Sequence, residues 1–541
     1  MRSKILIVVI FLIATSPAYA QKFYPDDPIW IDDDKNHIEK PKKAELSQLY
    51  DILENTFGDP GEEKSVRAQN INALGEVPDS SWFTNRIGRN PMTVAEIVRG
   101  PDQTDGPDVS QPWTIASAKT EGISPGFRIK DGKGETFFIK FDPKKYPQLA
   151  TSAELISNKF FYAFGYNVPE YYIVFLPREM LRIDPKTKIT VKGGIERQMT
   201  EEDVEEVLAG VSRLPDGRIA ISASRRIPGE DLGKFKYYGT RNDDPNDIFP
   251  HEHRRELRGL RVFSAWLNHD DSRSINTFNT YVTENEKGYI KHYLIDFSST
   301  LGSGSFTIQS HRAGNEYFIE KKPIFKSGLT LGIWDRPWRH YKYPDYPAVG
   351  RYESTYFRPE LWRGEYQNPA FINMQFEDAF WATKIVMRFT DEIVRAIVGT
   401  AKIVDPKAEE YLIQTILGRR DKIVRYYLSQ INPLDEFKLN AGSLEFRNLG
   451  LDAGLSKSAS YQYQWSVFDN DKQTATPIGQ MQTAVLPSLA IPDNASPYLM
   501  VRIQTEASDQ PHWKQTVDVY LRNSGEKTVV GIERENRQEK R

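Results

Sequence analysis

The sequence predicts an α+β fold in which a strand-rich region, a helical region and a second strand-rich region follow one another. From Trp113 onward, short strand patterns, among them Tyr171–Leu176, alternate with glycine-containing turns. Between residues 376 and 431 the apolar residues recur at helical spacing. After Pro433, about six short strand patterns over roughly 100 residues, one of them over 483–491, indicate a small β-sandwich-like domain.

The N-terminus has the pattern of a secretory signal peptide. A basic start precedes an apolar stretch from Ile5 to Ala14, and Ala18-Tyr19-Ala20 is a cleavage signature. We therefore expect residues 1–20 to be removed and the protein to be exported from a bacterium, to the periplasm or the extracellular space. No later apolar run reaches about 18 residues, so we expect no transmembrane segment after signal cleavage.

Composition excludes several classes of function. The chain has no cysteine, so it forms no disulfide, no cysteine-ligated zinc site and no thiol nucleophile. A net charge of -3 argues against a nucleic-acid-binding surface and against a polybasic membrane binder. No nucleic-acid partner is therefore expected.

A length of 541 residues suggests two to four domains at roughly 150 residues each. After the signal peptide we predict an N-terminal extension with one helix (21–112), a β-rich lobe (113–230), a helical lobe (231–432) and the β-sandwich-like domain (433–541). Within the helical lobe, residues 306–372 are rich in aromatic residues and proline with little periodicity. They are predicted to form a long ordered loop region.

Acidic and amide side chains stand out between Trp266 and Ser305. Asp270 and Asp271 are followed by Asn276 on a predicted loop. Asp296 stands at the end of the apolar run 293–295. A carboxylate at a strand end, facing a loop with an Asp and an Asn, would be a hard-oxygen site suited to Mg²⁺ or Mn²⁺. Asp and Asn are also ordinary turn residues, so a polar hairpin is the alternative interpretation.

Two further charged residues lie in the β-rich lobe. Lys140 interrupts the apolar strand pattern of residues 137–141, and its ammonium group would point into a cleft if it shares a face with Phe138. An edge-strand lysine is the alternative. Glu154 is predicted in the first turn of a helix from Ser152 to Gly165, where the helix dipole would favour a carboxylate.

The order of these elements resembles the protein-kinase-like superfamily. The chain is similar to its atypical HipA-like, CotH-like and phosphoinositide-kinase-like members over roughly residues 113–431. This resemblance implies a bilobal fold with a β-rich N-lobe and a helical C-lobe. It also implies ATP and Mg²⁺ or Mn²⁺ as cofactors, and a phosphoryl group transferred to an unknown hydroxyl acceptor (a protein, lipid, sugar or small molecule).

The resemblance also assigns roles to single residues. Because DSRSIN preserves the D-x-x-x-x-N spacing, Asp271 resembles the catalytic aspartate, with Asp270 as a second candidate. The remaining positions resemble the phosphate-binding lysine (Lys140), its glutamate partner (Glu154), the phosphate-covering loop (Gly122 and Gly126) and the metal ligands (Asn276 and Asp296). His269 stands near the histidine of H-R-D.

The sequence departs from conventional protein kinases at several motifs. The loop T-E-G-I-S-P-G replaces G-x-G-x-x-G, Ser298 replaces the glycine of D-F-G, and an A-P-E motif is missing. These departures argue against a conventional protein kinase but leave the metal- and phosphate-binding positions intact. The alternative function is a catalytically inactive kinase-like scaffold that binds through its C-terminal β domain. The signal peptide supports that alternative, because a bacterial periplasm is not expected to offer ATP.

Overall fold

The computed structural model describes residues 21–62, 66–118, 125–191, 195–331, 333–535 and 537. The predicted Gly122 lies outside these residues. The α-helices are α1 (Gln48–Leu53), α2 (Val94–Arg99), α3 (Leu149–Phe164), α4 (Glu201–Ala209), α5 (Arg255–Leu267), α6 (Lys321–Leu329), α7 (Pro369–Ile372), α8 (Phe376–Met387), α9 (Asp391–Gly399), α10 (Pro406–Leu428) and α11 (Leu449–Asp452).

The strands group into several separate sheets. They are β1 (Trp113–Ala118), β2 (Gly126–Lys130), β3 (Thr136–Phe141), β4 (Tyr171–Leu176), β5 (Leu181–Ile183), β6 (Lys188–Val191), β7 (Ile195–Gln198), β8 (Ile219–Arg225), β9 (Glu230–Asp231), β10 (Thr277–Glu284), β11 (Lys287–Leu294), β12 (Leu434–Asn440), β13 (Ser443–Asn448), β14 (Ser460–Asp469), β15 (Thr474–Pro477), β16 (Gln482–Ala484), β17 (Ser488–Ala490), β18 (Tyr498–Glu506), β19 (Val517–Arg522) and β20 (Thr528–Arg534). The prediction of a mixed α+β fold is confirmed.

The first sheet has the strand order β4-β8-β3-β2-β1-β5. On β3, Phe137, Ile139 and Phe141 are buried in a hydrophobic core that Val204 and Leu208 of α4 complete. Because side chains alternate along a strand, Phe138 and Lys140 lie on the opposite face. The alternation of side chains along β3 therefore directs Lys140 away from this core.

Helix α3 packs against the sheet on the side of Lys140. It begins at Leu149, earlier than predicted, so Glu154 lies in the second turn and no acidic residue occupies the first. The prediction that Glu154 sits in the first turn is therefore wrong, and the dipole explanation does not apply to it. The helix begins early because Asp142 accepts hydrogen bonds from the main-chain nitrogens of Ala150 (2.8 Å) and Thr151 (2.9 Å).

The largest hydrophobic core joins α3 to the helices that follow it in the chain. Helix α5 is buried along its whole length and packs against α8 and α10. A three-stranded sheet in the order β11-β10-β9 lies beyond the end of α5. The loop between α5 and β10, and the segment after β11, are both held by these rigid elements.

Residues 306–372 contain more regular structure than predicted. Helix α6 interrupts the expected loop, and short 3₁₀ turns follow at Pro337–His340 and Pro359–Leu361. No residue of α6 is buried. The helical periodicity was missed because α6 has no apolar face packed against a core.

Two sheets of the C-terminal region share one core. The order is β12-β13-β17 in the first and β15-β14-β18-β19-β20 in the second, with β16 also paired to β14. The single strand predicted over 483–491 is wrong, since β16 and β17 belong to different sheets. Pro487 lies between them, and proline cannot donate a ladder hydrogen bond.

In the described part of the chain, no helix is both long enough and apolar enough to cross a membrane.

Candidate functional site

Lys140 is the centre of a charge cluster between the first sheet and the helical region. Its Nζ atom donates to Glu154 Oε1 at 2.8 Å and to Asp296 Oδ1 at 2.7 Å. Only 12% of the lysine side chain is exposed. Burial lowers the pKa of Lys140, but the charges of Asp296 and Glu154 outweigh it and hold that pKa well above the ordinary value. The lysine is therefore charged and bridges two carboxylates.

Glu154 is fixed by neighbours on two strands. Ser222 of β8, the residue paired with Lys140 across the ladder, donates its hydroxyl to Glu154 Oε2 at 3.1 Å. Tyr171 of β4 is buried beside the same carboxylate, and burial together with the charge of Glu154 raises the pKa of the Tyr171 phenol. With both oxygens engaged, Glu154 holds Lys140 in one position.

Gly126 lies on the strand and not on the turn where it was predicted. It begins β2 and pairs directly with Lys140 of β3. A Cβ atom at this position would stand 2.2 Å from the Ile139 carbonyl oxygen. The glycine therefore permits the two backbones to approach closely beside Lys140.

Asn276 is held at the end of the loop that follows α5. Its Nδ2 atom donates to the Asp271 carbonyl oxygen at 2.8 Å. The main-chain nitrogen of Ile295 donates to the Asn276 carbonyl at 3.0 Å. These two bonds place Asn276 beside both Asp271 and the segment that carries Asp296.

Asp296 lies two residues after the end of β11 and has a strained backbone. Its φ angle is +61°, in the left-handed region that few non-glycine residues adopt. Ser298 donates its hydroxyl to Asp296 Oδ1 at 2.6 Å. The side chain is 36% exposed, which makes it the most open carboxylate paired with Lys140.

Phe297 connects this segment to α3. The Phe297 ring is fully buried and stacks on Phe161, with 4.6 Å between the ring centroids. Thr300 and Ser157 also share a hydrogen bond of 2.7 Å. Because α3 carries Glu154, these contacts fix the relative positions of Glu154 and Asp296.

The two adjacent aspartates point to different partners. Asp271 forms an ion pair with Arg273. Burial raises the pKa of Asp271, and the charge of Asp296 adds to this against the opposing charge of Arg273. Asp270 Oδ1 instead accepts a hydrogen bond from Gln309 Nε2 at 2.7 Å. Of the two, Asp271 is thus the aspartate whose charge acts together with that of Asp296.

Glu365 adds a carboxylate that no sequence pattern predicted. Arg273 Nη1 lies 2.9 Å from Glu365 Oε2. Burial, and then the charge of Asp271, raise the pKa of Glu365 to about 7, against the opposing charges of Arg273 and Arg312. Burial also raises the pKa of Asp270 and of Asp271. Three neighbouring carboxyl groups therefore bind protons more tightly than exposed carboxyl groups do.

His269 is a buried, neutral packing residue. Its ring lies 5.7 Å from the rings of both Phe161 and Phe297. Burial lowers the pKa of His269 to about 4, so the imidazole is uncharged at neutral pH. The histidine contributes packing between α3 and the segment after β11.

The donor set for a divalent cation is sparse. Among the described residues, no group of three or more His, Asp or Glu side chains is arranged to hold a metal ion. Asp296 offers an accessible carboxylate. Asn276 uses its amide nitrogen for the hydrogen bond to the Asp271 carbonyl oxygen. One carboxylate and one amide oxygen suit a Mg²⁺ ion that takes its other ligands from water and phosphate.

A pocket of about 210 Å³ includes Asn268, the residue directly after α5, in its lining. Aromatic and charged side chains line it, and none of the residues of the Lys140 cluster does. The lining residues are Asn268, Ala313, Gly314, Asn315, Pro337, Trp338, Tyr341, Tyr343, Arg351, Glu353, Tyr356, Phe357, Arg358, Leu361, Trp362 and Arg419.

Several supporting residues were missed from the sequence. Ser222 and Ser298 are small polar residues near predicted site positions, and strand alternation on β8 is a signal that could have pointed to Ser222. Glu365 and Gln309 lie in the aperiodic region 306–372, where spacing carries no information about which residues meet.

No protein-family model matches the chain, and no curated protein matches it either.

Proposed function

We propose that this protein is an exported, atypical kinase-like phosphotransferase that uses ATP and Mg²⁺ or Mn²⁺. The observation that carries the proposal is the position of Lys140 between Glu154 and Asp296. A lysine on the third strand, paired with a glutamate on the next helix and close to a metal-binding aspartate, is the arrangement that phosphoryl transfer uses in kinases.

The strained backbone at Asp296 supports the same proposal. A left-handed aspartate persists only where the surrounding structure imposes it, and such residues cluster at functional sites. Here the constraint comes from Phe297, which is anchored on α3. The bilobal arrangement that the proposal requires has its β-rich part in the first sheet and its helical part around α5, α8 and α10.

The residues have distinct roles in this proposal. When bound, the cation would neutralise charge on the phosphate oxygens, and ATP would supply the phosphoryl group. Asp296 and Asn276 would hold the cation, and Lys140 would bind a phosphate oxygen. Asp271 would accept the proton of the acceptor hydroxyl as the new O–P bond forms and the bond to the ADP leaving group breaks.

Thermal melting of the chain from Gln21 tests nucleotide binding directly. With Mg²⁺ and ATP at about 100 times the dissociation constant, binding adds about 2.7 kcal/mol to the free energy of unfolding. We expect this shift in wild type and its loss in Asp296→Asn. Asp493→Asn, an exposed aspartate of the C-terminal region, is the matched control and should keep the shift.

A second pair of variants separates the two aspartates. Asp271→Asn should keep the melting shift but lose phosphoryl transfer, whereas Asp270→Asn should keep both. If wild type shows no shift with any nucleotide and metal, the phosphotransferase proposal is wrong. The chain would then be better described as a scaffold that acts through its C-terminal β region.

A further inference from the structure

An exposed apolar segment spans α6 and the residues just after it, and it has no role in the proposed chemistry. Ile324, Phe325 and Leu329 lie on the helix, and Leu331 and Ile333 come after it. Their exposed fractions range from 51% to 91%. Scattered exposed apolar residues are ordinary, but a contiguous set of this size marks an interaction surface.

Positive charge surrounds these apolar side chains. Between residues 316 and 342 there are six lysine and arginine residues and three carboxylates, which leaves a net charge of +3 in a chain whose net charge is -3. Lys321 and Lys322 are exposed and form no ion pair with any carboxylate in the described part of the chain. The local charge thus has the opposite sign to that of the whole protein.

The helix orients the two kinds of side chain toward the same side. Phe325 and Leu329 are four residues apart and share one face, and so do Lys322 and Lys326 beside it. Pro323 and Ser327 are half-buried and mark the face toward the protein. Lysine stems can lie along an apolar surface while their ammonium groups stay in the polar layer above it.

Aromatic residues continue this surface after the helix. Trp334 is half-buried, and Lys326 Nζ lies 4.4 Å from its ring centroid. The 3₁₀ turn Pro337–His340 carries Trp338, whose Nε1 donates to Glu316 Oε2 at 3.1 Å. Tryptophan beside lysine and exposed aliphatic residues is typical of segments that lie in a membrane interface.

We propose that α6 and the residues after it, Leu331 and Ile333, dock this protein on the surface of an anionic lipid bilayer. The charge complementarity selects this occupant over an acidic or apolar protein surface, because lysines and exposed apolar side chains are both satisfied at a headgroup boundary. The proposal concerns where the protein resides and does not depend on phosphotransferase activity.

Vesicle co-sedimentation of the chain from Gln21 tests the proposal. We expect binding to phosphatidylcholine vesicles that contain phosphatidylglycerol, weak binding to pure phosphatidylcholine, and weaker binding at high salt. The double variant Phe325→Ser/Leu329→Ser should lose at least about tenfold in affinity. Lys321→Gln/Lys322→Gln should lose about fivefold for each lysine.

Matched controls lie elsewhere on the surface. Val485→Ser/Leu486→Ser changes two apolar residues of similar exposure in the C-terminal region, and Lys144→Gln/Lys145→Gln changes two exposed lysines near β3. Both should bind vesicles as wild type does. All of the substituted residues are exposed, so each variant should have the same melting temperature as wild type.

Three outcomes would overturn the proposal. They are the absence of vesicle binding in wild type, equal binding to both lipid compositions, and binding that the α6 variants leave unchanged. If vesicle binding is absent but wild type self-associates and Phe325→Ser/Leu329→Ser does not, the surface belongs to an interface with a second copy of the chain.

Discussion

The charges around Lys140 show how single residues create a polar site inside a protein. A buried ammonium group is costly unless its partners are close and well oriented. Here Glu154 and Asp296 both lie within 2.8 Å of it. Ser222 donates to the other oxygen of Glu154, and Ser298 donates to the same Asp296 oxygen as the lysine. Removing the lysine would leave two carboxylates facing each other, so the site is built around its charge.

Glu365 makes a pH-dependent contribution to stability. Its pKa of about 7 in the folded protein lies above the ordinary value of 4.5, so the folded state binds this proton more tightly than the unfolded state does. The free energy of unfolding therefore falls as the pH rises between about 4.5 and about 7. A shift of this size corresponds to at most about 3 kcal/mol.

We expect Glu365→Gln to remove this dependence. Between about pH 5 and about pH 8, urea unfolding should show a smaller loss of stability in the variant than in wild type. Glu392→Gln, an exposed position on α9, is the control and should follow wild type at each pH. Parallel curves for Glu365→Gln and wild type would contradict the raised pKa.

At the scale of elements, helix α3 connects the first sheet to the helical core. It carries Glu154 and Phe161 two turns apart on one face, so it contacts both Lys140 and the segment of Asp296. The helix ends at Gly165, whose φ angle is +130°. A Cβ atom there would stand 2.2 Å from the Phe83 ring and 2.6 Å from the Thr84 carbonyl oxygen.

Gly165→Ala should therefore destabilise the protein by more than about 3 kcal/mol, because backbone strain and a steric clash add. Gly217→Ala is the control. Its φ angle is +84° but nothing lies within 4 Å of its Cβ position, so only the conformational cost of about 1–2 kcal/mol is expected. Equal losses in the two variants, measured by chemical unfolding, would rule out the clash with Phe83.

At the scale of the whole molecule, the N-terminal segment of the described chain packs on its C-terminal sheets. Phe23 is 3% exposed and lies among Phe468, Tyr498 and Tyr520, with ring centroids 5.1–6.1 Å away. Lys22 also pairs with Glu533 at 2.6 Å. Residues separated by more than 440 positions in sequence thus share one core.

Phe23→Ala should cost about 3–5 kcal/mol in the unfolding of the C-terminal region, because it opens a cavity in a packed aromatic cluster. Phe57→Ala removes a phenylalanine that is 57% exposed and should change stability by about 0.5 kcal/mol or less. Thermal unfolding with limited proteolysis would locate the effect. Equal stability of the two variants would show that the N-terminal segment is dispensable.

Much of the fold could be predicted from local patterns. The strand Tyr171–Leu176 matches its predicted bounds, and α10 begins after Asp405 with Pro406 in its first turn, as the capping pattern indicates. Local periodicity failed at α6, which has no buried residue, and at residues 483–491, where the chain passes from one sheet to another.

The residues of the candidate site also separate into those that the sequence predicts and those that it does not. Lys140, Glu154, Asp271, Asn276 and Asp296 could be chosen from their order and spacing, and the structure brings Lys140 together with Glu154 and Asp296. Strand alternation on β8 could have pointed to Ser222. Arg273 and Glu365 could not be chosen, because their contacts depend on how distant elements meet.

The sequence by itself determined most of the strands and helices and which residues carry charge on them, since both follow from local chemistry. Only the tertiary structure decided that Asp271 pairs with Arg273 while Asp270 accepts a hydrogen bond from Gln309. It also decided that the apolar residues of α6 stay exposed. The physical reason is that burial and electrostatic environment are properties of packed neighbours, and those neighbours come from distant parts of the chain.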